Sequence, residues 1–356
     1  MKISINSPIT NKSFGGGGLS FVTQFQRYLK SNKVSVINHL DDNDIDFILI
    51  VNVTFSFSYS FYKAALYKIS NPKVIIIHRV NDSGYQRNNN FMTNLLTSCS
   101  SYSDHLIYVS SWLYKEMIIK IKNPSAHSVI LNGVDIDLSN VSKKIPWDGN
   151  SKLKIITHHW SANYSKGHEF YQILDGLLNQ EKFKNKFEFT YIGNYPKNLF
   201  YQNTKLLPAM PREDLAEEIR KHDVYLSASK NEAGGMHIIE GISLGLPTLY
   251  IDSGGTPEYA EGCGLMFTKD NFEVQIQKIH KEYFDYYKKI GKYSFSGYEM
   301  SKNYLSLFQN LLDEQIIISS KSKIIDSSFR VKLFLIFKEK TFKFYRYFYV
   351  MLSKYR

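Results

Sequence analysis

A chain of 356 residues has room for about two domains. Its composition, 43% hydrophobic and 22% charged, excludes a disordered or fibrous protein. The net charge of +11 is lopsided: residues 314–356 hold 10 Lys/Arg against 3 Asp/Glu, so the body is nearly balanced and the basic character belongs to a tail.

The chain opens with MKISINSPI, which lacks a basic region followed by an apolar core, so no signal peptide is expected. Apolar strand-like runs then alternate with helical patterns. KISIN (2–6) leads into GLSFVTQFQRYLKSN (18–32), followed by KVSVINHL (33–40), DFILIVNV (46–53), VIIIHRV (74–80), HLIYVS (105–110) and SVILNGV (128–134). After a polar break at 141–152 the rhythm resumes with LKIITHH (153–159), EFTYIGN (188–194), DVYLSAS (223–229) and PTLYIDSGG (247–255). Strands that are apolar throughout, each followed by a helical segment, point to parallel sheets covered on both faces. The expected architecture is α/β, two doubly wound domains with a cleft between them. Only Cys99 and Cys263 are present, too few for a disulfide framework, which points to a reducing cytosol. No apolar run approaches the ~18 residues of a spanning helix, so the expectation is a protein in solution or on a membrane surface.

Ligands in such sheets bind at the carboxyl ends of the strands. Glycine or polar clusters follow several of them, at 14–18, 78–82, 132–135, 158–167 and 231–235. The richest is NEAGGMHIIEG (231–241), with Glu232 and Glu240 eight apart around a Gly-Gly pair. A helix is expected from Met236 to about Gly245, stopped by Pro247. Its first-turn amides, around Gly235 to Ile238, lack intrahelical partners and carry the positive end of the dipole, which makes an anion site. An ionised carboxylate only accepts hydrogen bonds and suits sugar hydroxyls. A phosphate flanked by hydroxyl-reading carboxylates describes a nucleotide sugar.

The stretch SASKNEAGGMHIIEGISLGLPTLYIDSGGTPEYAEGCGLMF (227–267) resembles the C-terminal signature of retaining glycosyltransferases of family 4. The two glutamates eight apart, then Gly245, Pro247 and Gly254-Gly255-Thr256-Pro257-Glu258 carry the likeness; LNGVD (131–135) is similar to the family's domain-junction element. The resemblance implies the GT-B fold, two Rossmann-like domains facing a central cleft: residues 1–145 on the acceptor side, 146–296 on the donor-nucleotide side, and a closing helix, 297–313, returning to the first domain. Residues 314–356 form an additional basic, aromatic tail.

Carried onto this sequence, the resemblance implies that Glu240 binds donor ribose hydroxyls and that Glu232 reads the transferred sugar. The backbone at Gly234, Gly235, Met236 and His237 would receive phosphate and sugar oxygens, and Lys166 would stabilise the leaving diphosphate. The family's usual arginine, five or six residues before that lysine, is replaced here by Trp160 or Ser161; His158 and His159 are the substitute phosphate donors, weaker than guanidinium. Gly16 and Gly17, in the loop FGGGGLSF (14–21), would lie near the donor phosphates. His78 would contact the donor sugar, making the catalytic set His78, Lys166 and Glu232, while Arg79, Asn81 and Arg87 are the acceptor-side candidates.

No metal-ligand spacing and no Asp-x-Asp element stand out, so neither metal nor other cofactor is expected beyond the nucleotide sugar as co-substrate. The expected activity is retaining glycosyl transfer to a hydroxyl of a glycan or lipid-linked acceptor, in cell-surface polysaccharide (capsule or lipopolysaccharide) assembly. The alternative is a nucleotide-sugar epimerase of the same fold, which would need cleft acids or bases and no second sugar. Nucleic acid is not an expected partner. Residues 330–356, Lys/Arg interleaved with Phe and Tyr, are expected to meet an anionic membrane surface, which places the protein in the cytoplasm, peripheral on the inner face of the cytoplasmic membrane; a helix packed on the body is the other reading of this tail.

Overall fold

A computed structural model describes residues 1–8, 17–54, 58–84, 90–121, 125–134, 144–290, 295–321 and 329–353; for 319–321, 329, 346 and 348–353 it describes the backbone only. Two compact units divide the chain, Met1–Ile130 with Met300–Arg356, and Leu131–Glu299.

The first unit holds a parallel six-stranded sheet of β1 (Lys2–Ile5), β2 (Ser35–Ile37), β3 (Phe47–Ile50), β4 (Ile75–Val80), β5 (His105–Tyr108) and β6 (Ala126–Val129), in the order β2-β1-β3-β4-β5-β6. Every residue of β3, β4 and β5 is buried, whereas the edge strands β2 and β6 have none that is. The unbroken apolar runs therefore mark strands covered on both faces. The connections hold α1 (Gly17–Ser31), α2 (Phe61–Ser70), α3 (Asn90–Ser101) and α4 (Ser111–Ile118). Ser60 caps α2 and Ser110 caps α4, each accepting a backbone N–H three residues on at 3.1 Å.

In the second unit, β7 (Leu153–His159), β8 (Phe187–Gly193), β9 (Lys205–Leu207), β10 (Val224–Ser227), β11 (Thr248–Ile251) and β12 (Gly264–Phe267) form another parallel sheet, ordered β12-β11-β10-β7-β8-β9. Its helices are α5 (His168–Leu177), α6 (Glu181–Lys184), α7 (Arg212–Arg220), α8 (Met236–Ser243), α9 (Thr256–Ala260) and α10 (Phe272–Ile290). The helix expected from Met236 begins there and ends two residues before Gly245, whose φ is +90°.

The unit boundary differs from the expected 145/146. Asn132 N–H donates to Tyr259 Oη (3.0 Å), and Val134 pairs with Ser296, so the segment from Leu131 is bonded into the second unit. Next, α11 (Gly297–Asp313) sends Met300, Tyr304, Phe308 and Leu311, spaced at four, four and three, into the core of the first unit. Phe308 stacks on Phe47 at 4.9 Å and meets Phe25 edge-on at 5.9 Å. Then come α12 (Gln315–Lys321) and α13 (Phe329–Ser353). Helix α13 lies on α2, with Phe342 edge-on to Phe61 and Tyr62 and with Leu335 fully buried. Helix α13 is thus a folded layer of the first unit, in keeping with the reading of the tail as a helix packed on the body. Among the described residues no helix is long and apolar enough to cross a membrane.

Truncating Phe308 deletes an aromatic ring from a fully buried position. Phe308→Ala should lower the unfolding free energy by about 3–5 kcal/mol in denaturant titration. Val274→Ala, on the exposed side of α10, should stay within ~0.5 kcal/mol of the parent.

Candidate functional site

From β7 the second unit's chain runs outward through β8 and β9, then returns to build β10 to β12 on the other side. The crevice at the ends of β7 and β10 is therefore the switch point where such sheets bind ligands. There, β7 ends in His158-His159 and β10 in Ser227.

Two glycines let the surrounding loops close on each other. Gly167 has φ +82°, and a Cβ on it would stand 2.1 Å from the carbonyl oxygen of Ala228. Only glycine lets the turn after β7 lie against the chain leaving β10, where Lys230 N–H donates to Ser165 O (2.7 Å). Gly254, at φ +67°, does the same for the loop after β11: its Cβ would stand 2.5 Å from Glu232 N, and Gly255 N–H donates to Glu232 O (2.7 Å). These approaches bring the Lys166 ammonium onto the Glu232 carboxylate in an ion pair, both side chains largely shielded.

Glu240, on α8, faces the same crevice. His158 Nε2 donates to its Oε2 (3.0 Å), and Arg212 Nη2 donates to its Oε1 (3.3 Å). Burial works to raise the Glu240 carboxyl, but the hydrogen bond and charge of His158 and the charge of Arg212 outweigh it and hold the group below the usual carboxylate range. The carboxylate is thus kept ionised, an acceptor on both oxygens. Sequence reasoning missed Arg212; its only signal is Pro211, which ends the preceding loop and makes Arg212 the first residue of α7.

The histidines depart from expectation. His159 Nε2 lies 2.7 Å from Tyr171 Oη, and burial drives the ring well below its ordinary pKa. It is a neutral core residue, which removes it from the donor-binding set. His158 has both nitrogens occupied, Nε2 by Glu240 and Nδ1 by Tyr225 Oη (3.0 Å), so it holds Glu240 and does not reach out to a phosphate on its own. His237 bonds Ser227 Oγ (2.8 Å) and is pushed down to about 3 by burial. The cradle of free amides at the start of α8 is narrower than expected: Met236 N–H donates to Gly234 O (3.0 Å) and Ile238 N–H to Gly235 O (3.1 Å). Trp160, at the usual arginine position, is half exposed.

The first unit has its own cavity, of about 460 Å³, at the ends of β1 and β3, the corresponding switch point of that sheet. Gly17, His78 and Asn81 line it together with Asn52 and Asp82, and Leu19 and Met92 supply apolar wall. His78 Nδ1 is engaged with Ser100 Oγ (3.0 Å); burial, with a further push from Arg79, takes the ring down to about 3, so it is neutral. Arg79 is a correction. Adjacent strand residues face opposite ways, and its guanidinium lies buried over the Phe21 ring at 4.0 Å, not in the cavity. Its place in the acceptor set is withdrawn. Gly16 and Arg87 lie outside the described residues.

Residues 188–294 match the family model described as glycosyl transferases group 1. No curated protein matches the chain. Among solved structures, sucrose-phosphate synthase from Thermosynechococcus elongatus is similar at 11% identity, covering 88% of this chain and 99% of that one with a TM-score of 0.60. Anabaena HepE in complex with UDP and glucose matches at 14% identity over 87% of this chain and all of that one, TM-score 0.61. The lipopolysaccharide outer core galactosyltransferase WaaB matches at 13% identity over 89% and 99%, TM-score 0.59. The fold is GT-B, and the match over 188–294, the segment that holds Glu232 and Glu240, supports a glycosyltransferase.

Several neutral histidines make stability depend on pH. Burial holds His78 and His237 at about 3 and His105 and His168 at about 4 in the folded protein, against an ordinary 6.5. The unfolded chain therefore takes up protons that the folded one does not, and stability present above pH 6.5 is lost as pH falls toward the folded values. Each group costs about 1.4 kcal/mol per pH unit within that window. In denaturant titrations from pH 7 to 4.5, His105→Gln, remote from both sites, should show a fall shallower than the parent's by about that amount per unit.

Proposed function

We propose that the chain is a retaining glycosyltransferase of family 4, moving a glycosyl unit from a nucleoside diphosphate sugar to a hydroxyl of a glycan or lipid-linked glycan during cell-surface polysaccharide assembly. The observation that carries this reading is the pairing of Lys166 with Glu232, beside Glu240 held by His158 and Arg212, at the switch point of the second unit. Names of the similar structures, one bound to UDP and glucose and one a lipopolysaccharide galactosyltransferase, support the donor class and the setting.

In this reading Glu240 accepts from the ribose hydroxyls, since both its oxygens stay ionised and fixed. The backbone from Gly234 to His237 offers its remaining amides to phosphate and sugar oxygens, and Glu232 reads the transferred sugar. Lys166, held by Glu232 before the donor arrives, neutralises charge on the departing diphosphate, which is the dominant kind of assistance in such transfers. Arg212 takes over the guanidinium's place. The acceptor oxygen bonds to the anomeric carbon as the bond from that carbon to the phosphate oxygen breaks. The acceptor's proton passes to that phosphate oxygen on the same face, so the configuration is kept and no protein nucleophile enters. The first unit's cavity, with Asn81, takes the acceptor, and His78 assists from its wall. Charge stabilisation by Lys166 and the α8 dipole needs no divalent ion. The protein works in the cytoplasm at the inner face of the membrane, where a lipid-linked acceptor is presented.

A panel of nucleotide sugars screened by thermal shift identifies the donor, because a ligand of the folded state raises the melting temperature. With that donor, Lys166→Ala should lower turnover by ~10²-fold or more, and Glu240→Ala should weaken donor binding in calorimetry while leaving the fold intact. Unchanged turnover in the first variant, or an inverted anomeric coupling in the NMR spectrum of the product, refutes the mechanism. An epimeric sugar formed from donor alone indicates the epimerase instead. Chelator should leave the rate unchanged.

A further inference from the structure

Helix α13 has two apolar faces, one packed on α2 and the other largely exposed. Leu335, Glu339 and Phe342, spaced at four and three, form the buried seam against α2. Leu333, Phe337 and Phe344, spaced at four and seven, form a stripe on the opposite side and are 48%, 65% and 61% exposed. Phe334 adds a ring that is 50% exposed. A surface helix ordinarily turns polar residues outward; one that is apolar on both sides has a second apolar environment.

The charges on this helix are sorted in the same sense. It carries six Lys/Arg and a single carboxylate, Glu339. That carboxylate is turned inward and buried, accepting from Ser60 Oγ at the capped start of α2, where the positive end of the helix dipole favours it. Arg330, Lys332, Lys340 and Lys343 are all exposed. The outward surface is therefore apolar and aromatic with cations only.

We propose that the Leu333–Phe337–Phe344 stripe of α13 seats on an anionic bilayer surface, its rings entering the headgroup boundary while the flanking lysines and arginine meet lipid phosphates and carboxylates. This rests on the membrane setting proposed above and assigns it a contact face. Cations at a bilayer surface contribute about 1 kcal/mol each, and aromatic rings favour that boundary. Charge decides against a second copy of the chain as occupant: a two-fold contact lays a patch on itself and would bring these cations face to face. Because Leu335, Glu339 and Phe342 clamp the helix to α2, the stripe is presented on a rigid element.

The test uses the full chain, since α13 is part of the first unit. Flotation is measured with vesicles of phosphatidylcholine alone and of phosphatidylcholine with phosphatidylserine, for the parent and for Leu333→Glu/Phe337→Glu. The parent should float with the anionic vesicles at low salt and far less with the neutral ones. The double variant should bind at least ~10-fold more weakly. Its melting temperature and nucleoside diphosphate binding should match the parent's, as both side chains are exposed. Equal flotation of parent and variant, or no flotation of the parent with anionic vesicles, overturns the proposal. So does a concentration-dependent dimer in sedimentation that the double variant abolishes. A failed transfer assay with intact, variant-sensitive flotation would instead count against the enzymatic reading alone.

Discussion

The candidate site depends on the close approach of two loops at Gly167. A side chain there would collide with the carbonyl of Ala228, and without that approach Lys166 would not meet Glu232. The interaction joins residues 66 apart in sequence at the carboxyl ends of adjacent strands, β7 and β10. Gly254 closes the loop from the other side. The ion pair is set up by backbone geometry, since the close approaches at Gly167 and Gly254 bring its two partners together. A cation with one carboxylate partner and a shielded setting is ready to exchange that partner for a phosphate.

Two buried ion pairs elsewhere in the molecule have a different character. Lys68 pairs with Asp104 at 2.9 Å, both almost fully buried, while Asp104 also accepts the Ile76 N–H at 2.8 Å. Lys144 pairs with Asp223 at 3.0 Å, and Asp223 accepts the Lys154 N–H at 3.0 Å. In each case the carboxylate also accepts an amide near the start of an interior strand, so removing the lysine would leave a buried charge and loosen that strand end. They pin the architecture. Glu240 differs, since among the described residues its partners are two side chains, from β7 and α7, at the mouth of a sheet.

Two of the helices that follow the second sheet, α11 and α13, serve the first unit. Helix α11 completes its core through Tyr304 and Phe308, and α13 covers α2. The polar signal that the tail carries, its lysines and arginines, is compatible with either a loose anchor or a packed layer. Leu335 and Phe342 decide for packing because their spacing makes a seam that α2, with Phe61 and Tyr62, can receive.

By itself the sequence determined the parallel α/β architecture, since strands apolar at every position must be covered on both faces. It also determined the start of α8, through Gly235 before a helical pattern, and the neighbourhood of Glu232, Glu240 and Lys166, since glycine-rich strand ends are legible without coordinates. The tertiary structure alone decided which side chains are available. His158 and His159 are adjacent and chemically identical, yet strand alternation sends one to Glu240 and the other to Tyr171. The same alternation leaves His78 on the cavity wall and buries Arg79 on Phe21. Arg212 joined Glu240 from 28 residues away in sequence, and α13 found its seam on a helix far earlier in the chain. Local pattern encodes period and burial; which partner occupies the space beside a residue is set by packing between elements distant in sequence, and no local pattern carries that.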